Sequence, residues 1–496
     1  MSPPAVTELT QAEVRLRRIE DLPGPPGLPL VGNLLQIEAE RLHQQLEGWQ
    51  RQYGDFFRFR IARREFLVVA QPEAVSAILR DRPEGFQRTD RGCEVAAEMG
   101  FDGLFTARGD KWRRQRPLVM ASFDPAHIRT YFPTLAKVTG RLAQRWQRAS
   151  DSGESIDLLP DLMRFTVDVT AGLAFGQDIN TLGSDTEVIQ THLDKIFPAL
   201  LRRLLAPVPY WRYLKLPVDR QLERHLEALH LAVQDFIRQA RSRLDQDPRL
   251  RERPGNLIEA LIAARDADGS ALDDKDLAGN VLTMLLAGED TTANTLAWMI
   301  YLLHRNPAAL QAVSGTVSAA IGSEPLPSRF EQLASLDYIE ACAHESLRLK
   351  PVAPTLPHQA VRDTVVAGIV VPKGTLVMCL LRPAAVDEGR FADATAFKPE
   401  RWLSEGTAAQ AGSSAKRVAM PFGAGPRICP GRYLALQEIK MVIAMLVGSF
   451  EIPDVSTPEG GEPPERMAFT MSPMGLRLTL RRRERLPDES GAGFSG

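Results

Sequence analysis

Residues 273–304 set the strongest limit on the fold. The run is apolar on nearly every side at helical spacing and opens on the acidic pair Asp273-Asp274, which suits a helix N-terminus. At 1.5 Å per residue it would extend about 48 Å, enough to cross a large domain. A helix that is apolar all round has to be enclosed, so the rest of the chain must wrap it. Its centre works against enclosure: Ala287-Gly288-Glu289-Asp290-Thr291-Thr292 places a glycine and two acids there. Gly288 costs about 1 kcal/mol of helix propensity relative to alanine, and buried acids cost more unless they are partnered. Local conflict of this kind is expected where a fold is held for function.

The chain has material for the enclosure. It has 496 residues, 44% hydrophobic and 25% charged, so a large core is within reach. No Gly/Ser linker divides it, which predicts one large domain over 22–486, after a lightly packed or disordered polar segment 1–21 and before a disordered tail 487–496. A net charge of −2 argues against nucleic acid as the main partner. Residues 1–22 contain no apolar run long enough for a signal or a transmembrane anchor. Cys93, Cys342, Cys379 and Cys429 lie far apart without zinc-type spacing, which fits a reducing cytoplasm.

Along the chain, residues 42–53 read as a helix, 56–61 and 66–70 as a strand pair, and a further helix starts near Pro72. Residues 84–108 show no clear period and are expected to form an irregular lid. Helical repeats fill 130–245, broken at 207–217 by an aromatic and basic loop that either packs or touches a membrane surface. Residues 365–371 and 376–380 read as strands joined by the Pro372-Lys373-Gly374 turn. The fold class is mainly α with small β-sheets.

A second unusual stretch is Pro421-Phe422-Gly423-Ala424-Gly425-Pro426-Arg427-Ile428-Cys429-Pro430-Gly431-Arg432, followed by an apolar helical run. A cysteine in a stiff Gly/Pro loop before a helix N-terminus can act as a metal ligand or a nucleophile, or can be inert. The spacing Phe422-x-x-Gly425-x-Arg427-x-Cys429-x-Gly431 resembles the haem-binding loop of the cytochrome P450 family, of the soluble, bacterial kind. The resemblance implies haem b (iron protoporphyrin IX) with Cys429 as its axial thiolate. It also implies that Phe422 packs near the sulfur, that Gly423, Gly425 and Gly431 give the chain close passage, and that Arg427 meets a propionate.

Companion motifs appear in family order. Trp112-x-x-x-Arg116 resembles the propionate-binding pair, and His358 the propionate residue of the later strands. Ala287-Gly288-x-Asp290-Thr291 resembles the oxygen-activation signature. It implies that Ala287 and Gly288 make room beside the iron, that Thr291 donates a hydrogen bond to bound dioxygen, and that Asp290 relays protons. Glu345-x-x-Arg348, completed by Arg401, resembles the family's buried charge triad. Phe101, Leu104, Phe105, Ala287, Val352, Ala353, Thr355 and Met474 are the implied walls of the substrate pocket. One departure is Arg382-Pro383-Ala384 where relatives often carry His-Arg-Asp.

The implied activity is monooxygenation of an apolar organic substrate by a monomer using O2. NAD(P)H electrons would arrive through a separate ferredoxin or flavodoxin-type partner on a basic face of Lys111, Arg113, Arg114, Arg432 and Lys440. A peroxide-driven peroxygenase and a non-catalytic haem-binding protein are the alternatives.

Overall fold

The computed structural model describes residues 16–183, 189–268, 273–403 and 415–483. The tail and most of the N-terminal segment lie outside these residues. The long helix runs Asp274–Arg305, and the Asp273 carboxylate accepts from the Asp276 N–H at 2.6 Å as its N-cap. Its core-facing side chains are joined by Trp298, Met299 and Ile300, all fully buried. Around it pack the helices Pro125–Ser152, Leu158–Phe175, Pro217–Gln246, Asp337–Leu349 and Arg432–Ser449.

The enclosure is close at small residues. A Cβ on Gly288 would clash with the Thr170 hydroxyl of the Leu158–Phe175 helix, and one on Gly279 would lie 2.6 Å from the Asp102 carbonyl. Thr166 Oγ1 donates to the Glu289 carbonyl at 2.8 Å from the same neighbouring helix. Helix packing is therefore one reason for glycine at 288.

At one side lies a five-stranded sheet in the order Phe56–Ile61, Arg64–Val69, Leu376–Leu380, Thr355–Ala360, Phe86–Gln87. Only the Arg64–Val69 and Leu376–Leu380 pair is parallel. Fully buried Leu67 and Val377 place this sheet over its own apolar cluster. Residues 365–371 differ from expectation. Ala367 and Gly368 take left-handed backbone angles (φ 48° and 76°), so Thr364–Val366 folds back on Ile369–Val371 as a separate hairpin. Arg17 pairs with this hairpin through Gly368 and Val370, and Ile19 and Leu22 are buried while the other residues of 16–22 are exposed.

The presumed lid is also more ordered than its composition implied. Thr89 Oγ1 caps a helix at Asp90–Glu98, accepting from the Gly92 N–H. In the 207–217 loop Trp211 is buried, and its indole donates to Glu98 at 2.8 Å, which is the packed alternative for that residue. Among the described residues no helix is long and apolar enough to cross a membrane.

Candidate functional site

Cys429 sits in the loop between the short turn Gly425–Arg427 and the helix Arg432–Ser449. The loop closes on itself: the Cys429 N–H donates to the Phe422 carbonyl at 3.0 Å, and the Phe422 ring meets His344 edge-on. Burial raises the thiol pKa, while backbone N–H groups of Gly431 and Arg432 and the charges of Arg116 and Arg432 pull it down. Gly425 is held at φ 72°, and a Cβ there would lie 2.6 Å from the Leu79 carbonyl. Gly431 has an ordinary φ of −79° and only a distant Phe123 ring atom at 3.8 Å, so nothing in the polypeptide itself demands glycine there.

Gly425→Ala is expected to lower the thermal midpoint and the haem-to-protein ratio together. The left-handed angle alone costs an alanine about 1–2 kcal/mol, and the carbonyl must also move. Calorimetry and pyridine haemochrome measurement would check it; a wild-type midpoint would refute the claim that this turn needs glycine.

Trp112 and Arg116 lie on the Gly109–Ser122 helix. Arg116 Nη2 donates to the Ile428 carbonyl at 2.6 Å, beside Cys429, and Arg427 Nη2 donates to the Ala107 carbonyl at 2.6 Å. The Arg427 guanidinium lies 4.7 Å from the Trp112 ring centre. Two motifs 310-odd positions apart, as the 312-residue separation of Arg116 and Ile428 shows, thus meet at one place.

His358 lies against Arg82. It is fully buried, with Nδ1 against the Leu356 carbonyl at 3.0 Å and Nε2 against Arg82 Nη1 at 3.1 Å. Both ring nitrogens are engaged by the protein, so His358 supports Arg82. Burial and then Arg82 and Arg88 hold its pKa well below the usual range, which fits a neutral ring accepting from Arg82.

Arg82 and Arg88 were missed by the sequence reading. Burial followed by the charges of Arg82 and Arg427 pushes Arg88 down to about 9, and burial pushes Arg427 down to about 10. Among the described residues none of Arg82, Arg88, Arg116 and Arg427 has an acidic partner within ion-pair distance, and Nε of Arg88 and of Arg427 has no hydrogen-bond acceptor. Buried cations left without an anion are costly. A ligand carrying two carboxylates would satisfy them, so the residues present fit haem propionates.

The opposite wall is the long helix. Ala287 is exposed and Thr291 half-exposed, although most of their neighbours are buried. Thr291 Oγ1 donates to the Ala287 carbonyl at 2.8 Å. The two walls are joined by Glu438 on the Arg432–Ser449 helix, which accepts from the Thr292 side chain; burial pushes Glu438 up to about 8.

The implied pocket residues divide. Phe105 meets Phe469 edge-on, Val352 is buried with its carbonyl accepting from the Met471 N–H at 2.9 Å, and Thr355 starts a sheet strand. Phe101 and Leu104 are buried, the latter with its N–H on Asn280 Oδ1, and Ala353 is half-buried. Met474 is not at the tip of the last hairpin. Its N–H bonds Pro464 at the base, and the tip carries Phe469 and Thr470 between Glu465–Met467 and Met471–Pro473.

The charge triad is assembled, with Glu345 and Arg348 fully buried and Arg401 half-buried. Arg348 Nε and Nη2 donate to Glu345 at 2.8 and 2.7 Å, Arg401 Nε lies at 3.3 Å, and Trp402 Nε1 adds a bond at 2.9 Å. Where the chain departs from the His-Arg-Asp pattern, Arg382 instead pairs with Glu47 and Glu465, both at 2.7 Å. The basic face does not hold together: Lys440 is 4% exposed and paired with Glu340, while Lys111 is paired with Asp102 and Asp276. Arg113 is paired with Glu84 and Asp110.

A thiol-bearing loop and a helix wall, with the buried Arg82 and the half-buried Arg88, Arg116 and Arg427 lacking acidic partners among the described residues, suit a haem-thiolate protein. The chain belongs to the cytochrome P450 family, whose family model matches residues 22–480. It is 29% identical over 476 residues to the self-sufficient cytochrome P450 monooxygenase CYP505E4 of Penicillium freii, covering 94% of this chain and 44% of that protein. It is also 29% identical to the self-sufficient cytochrome P450 monooxygenase CYP505E5 of Aspergillus niger, covering 88% and 41%. The chain thus spans less than half the length of these relatives. Both are fungal, so they give no support to the bacterial kind expected from the motifs.

Proposed function

We propose that the chain is a monooxygenase that inserts one atom of O2 into an apolar organic substrate, by hydroxylation or epoxidation. The observation that supports this most is the meeting of the Cys429 loop, the Trp112–Arg116 segment and the unpaired guanidiniums of Arg82 and Arg88. Haem b, when bound, supplies the oxygen-activating iron. Cys429 would ligate it, and Arg88, Arg116, Arg427 and Trp112 would hold its propionates, with Arg82 steadied by His358. Thr291 presents its hydroxyl on the accessible face of the long helix, and Asp290 beside it is the group that moves the proton. Phe105, Val352 and Phe469 provide apolar walls.

Electrons would come from NAD(P)H through a separate ferredoxin or flavodoxin-type partner. The relatives' description as self-sufficient supports an attached reductase instead, and NAD(P)H oxidation by the full protein with and without added reductase distinguishes the two. Four free cysteines suit a reducing compartment such as the cytoplasm.

The reading is tested by reducing the purified haem protein under carbon monoxide and then supplying labelled dioxygen. A red-shifted Soret band and label in the product support it; a band at the position of histidine-ligated haem overturns it. Thr291→Ala is expected to keep ligand binding while product formed per NAD(P)H falls by about tenfold or more, the scale of one lost hydrogen bond to a charged group. Parallel assays of product, peroxide and NAD(P)H would show it, and unchanged coupling would remove Thr291 from the mechanism. Peroxide-driven turnover unaffected by Thr291→Ala would favour the peroxygenase.

A further inference from the structure

Asp290 is held by two residues that the oxygen-activation motif does not contain. Asn294 Nδ2 donates to its Oδ1 at 2.9 Å, and the Thr470 hydroxyl donates to its Oδ2. The second amide hydrogen of Asn294 reaches Thr470 Oγ1 at 3.1 Å, which closes a ring of three buried side chains. Asn294 Oδ1 has no partner, so the amide is oriented by the acid at the expense of its own acceptor.

Thr470 comes from the other end of the sequence, at the tip of the last hairpin. The residue before it, Phe469, stacks on Phe197 with centroids 5.5 Å apart and meets Phe105 edge-on at 5.7 Å. Arg88 covers the Phe105 ring at 3.7 Å. The hairpin base is fixed: Glu465 is paired with Arg382 and Lys350 at 2.7 Å, and Met471 N–H is bonded to Val352. Between the fixed base and the tip, adjacent residues therefore touch an aromatic cluster and the acid.

We propose that Thr470 is a positioning residue that couples occupancy of the Phe105–Phe197–Phe469 cluster to Asp290. A ligand seated among the three rings displaces Phe469, the Thr470 hydroxyl leaves with it, and the Asp290 carboxylate loses one of the hydrogen bonds that hold it, which changes its part in proton transfer. The step moves hydrogen bonds only. It rests on the proton-moving role given to Asp290 above.

The test uses the haem-loaded full chain as wild type, Thr470→Val and Thr470→Ser, with 4-phenylimidazole as the pocket-filling probe. Hydrogen–deuterium exchange at residues 465–474 is expected to rise in the wild type when the probe binds. In Thr470→Val it is already high without the probe, and Thr470→Ser restores the wild-type response. NAD(P)H consumption without substrate, driven by an added reductase, is expected to rise by about tenfold in Thr470→Val, the factor carried by one hydrogen bond to a charged group. Exchange that ignores the probe, or consumption that ignores Thr470→Val, overturns the coupling. Loss of the thiolate carbon monoxide band in wild type would overturn the monooxygenase reading instead, while the exchange experiment still reports on the hairpin.

Discussion

Cys429→Ser is expected to abolish the red-shifted carbon monoxide band of the reduced protein and to bring product formation to background. A serine hydroxyl does not ionise near neutral pH, so the thiolate that would hold the haem iron is lost. The protein itself should tolerate the change. The side chain is nearly isosteric, the loop is held by its backbone bond to Phe422 and by Gly425, and the apoprotein should lose less than about 1.5 kcal/mol. Absorption spectra of haem-reconstituted variant and wild type, beside apoprotein denaturation curves, separate the two effects. A retained thiolate-type band in the serine variant would place the ligand elsewhere.

Glu345→Gln is expected to have the opposite profile, severe for stability before any chemistry is considered. Glu345 and Arg348 are 0% exposed, and the carboxylate accepts from Arg348, Arg401, Trp402 and the Lys398 N–H. Arg348 also spans to the carbonyls of Ala385 and Ala394 at 2.5 and 2.6 Å, so it cannot follow a lost partner to solvent. The amide keeps the shape and leaves two guanidiniums without their anion, a loss of about 3–5 kcal/mol. That is a large share of ordinary domain stability, so low haem content and a clearly lowered urea midpoint are expected. A midpoint within error of wild type would mean that the triad is not the brace it resembles.

What could be read from the sequence was mostly local. The 273–304 pattern found the long helix to within a residue because its apolar spacing and its Asp273 cap lie within one segment. The Cys429 loop, Trp112 with Arg116, and Glu345 with Arg348 were legible because each motif is short. Arg82 and Arg88 were not, since their character comes from burial beside Arg427, far along the chain, and an arginine in a polar stretch carries no local sign of that. Asn294 and Thr470 lie 176 residues apart, and neither departs from its segment's pattern. Lys440 and Lys111 were read as surface charges because lysine usually is; Lys440 follows the buried face of its helix to Glu340. Residues 84–108 concealed a helix because Gly92 and the short length of Asp90–Glu98 weaken its period, although Thr89 is an N-cap signal.

The close glycine contacts of the long helix have a steric consequence. With Gly288 against Thr170, Gly279 against the Asp102 carbonyl and Thr166 bonded to Glu289, the helix has no room for a side chain at either glycine and is tied to its neighbour between them. A larger residue at Gly279 or Gly288 would therefore have to move the backbone at Asp102 or the Leu158–Phe175 helix, so this register of the packing is set by the absence of two side chains.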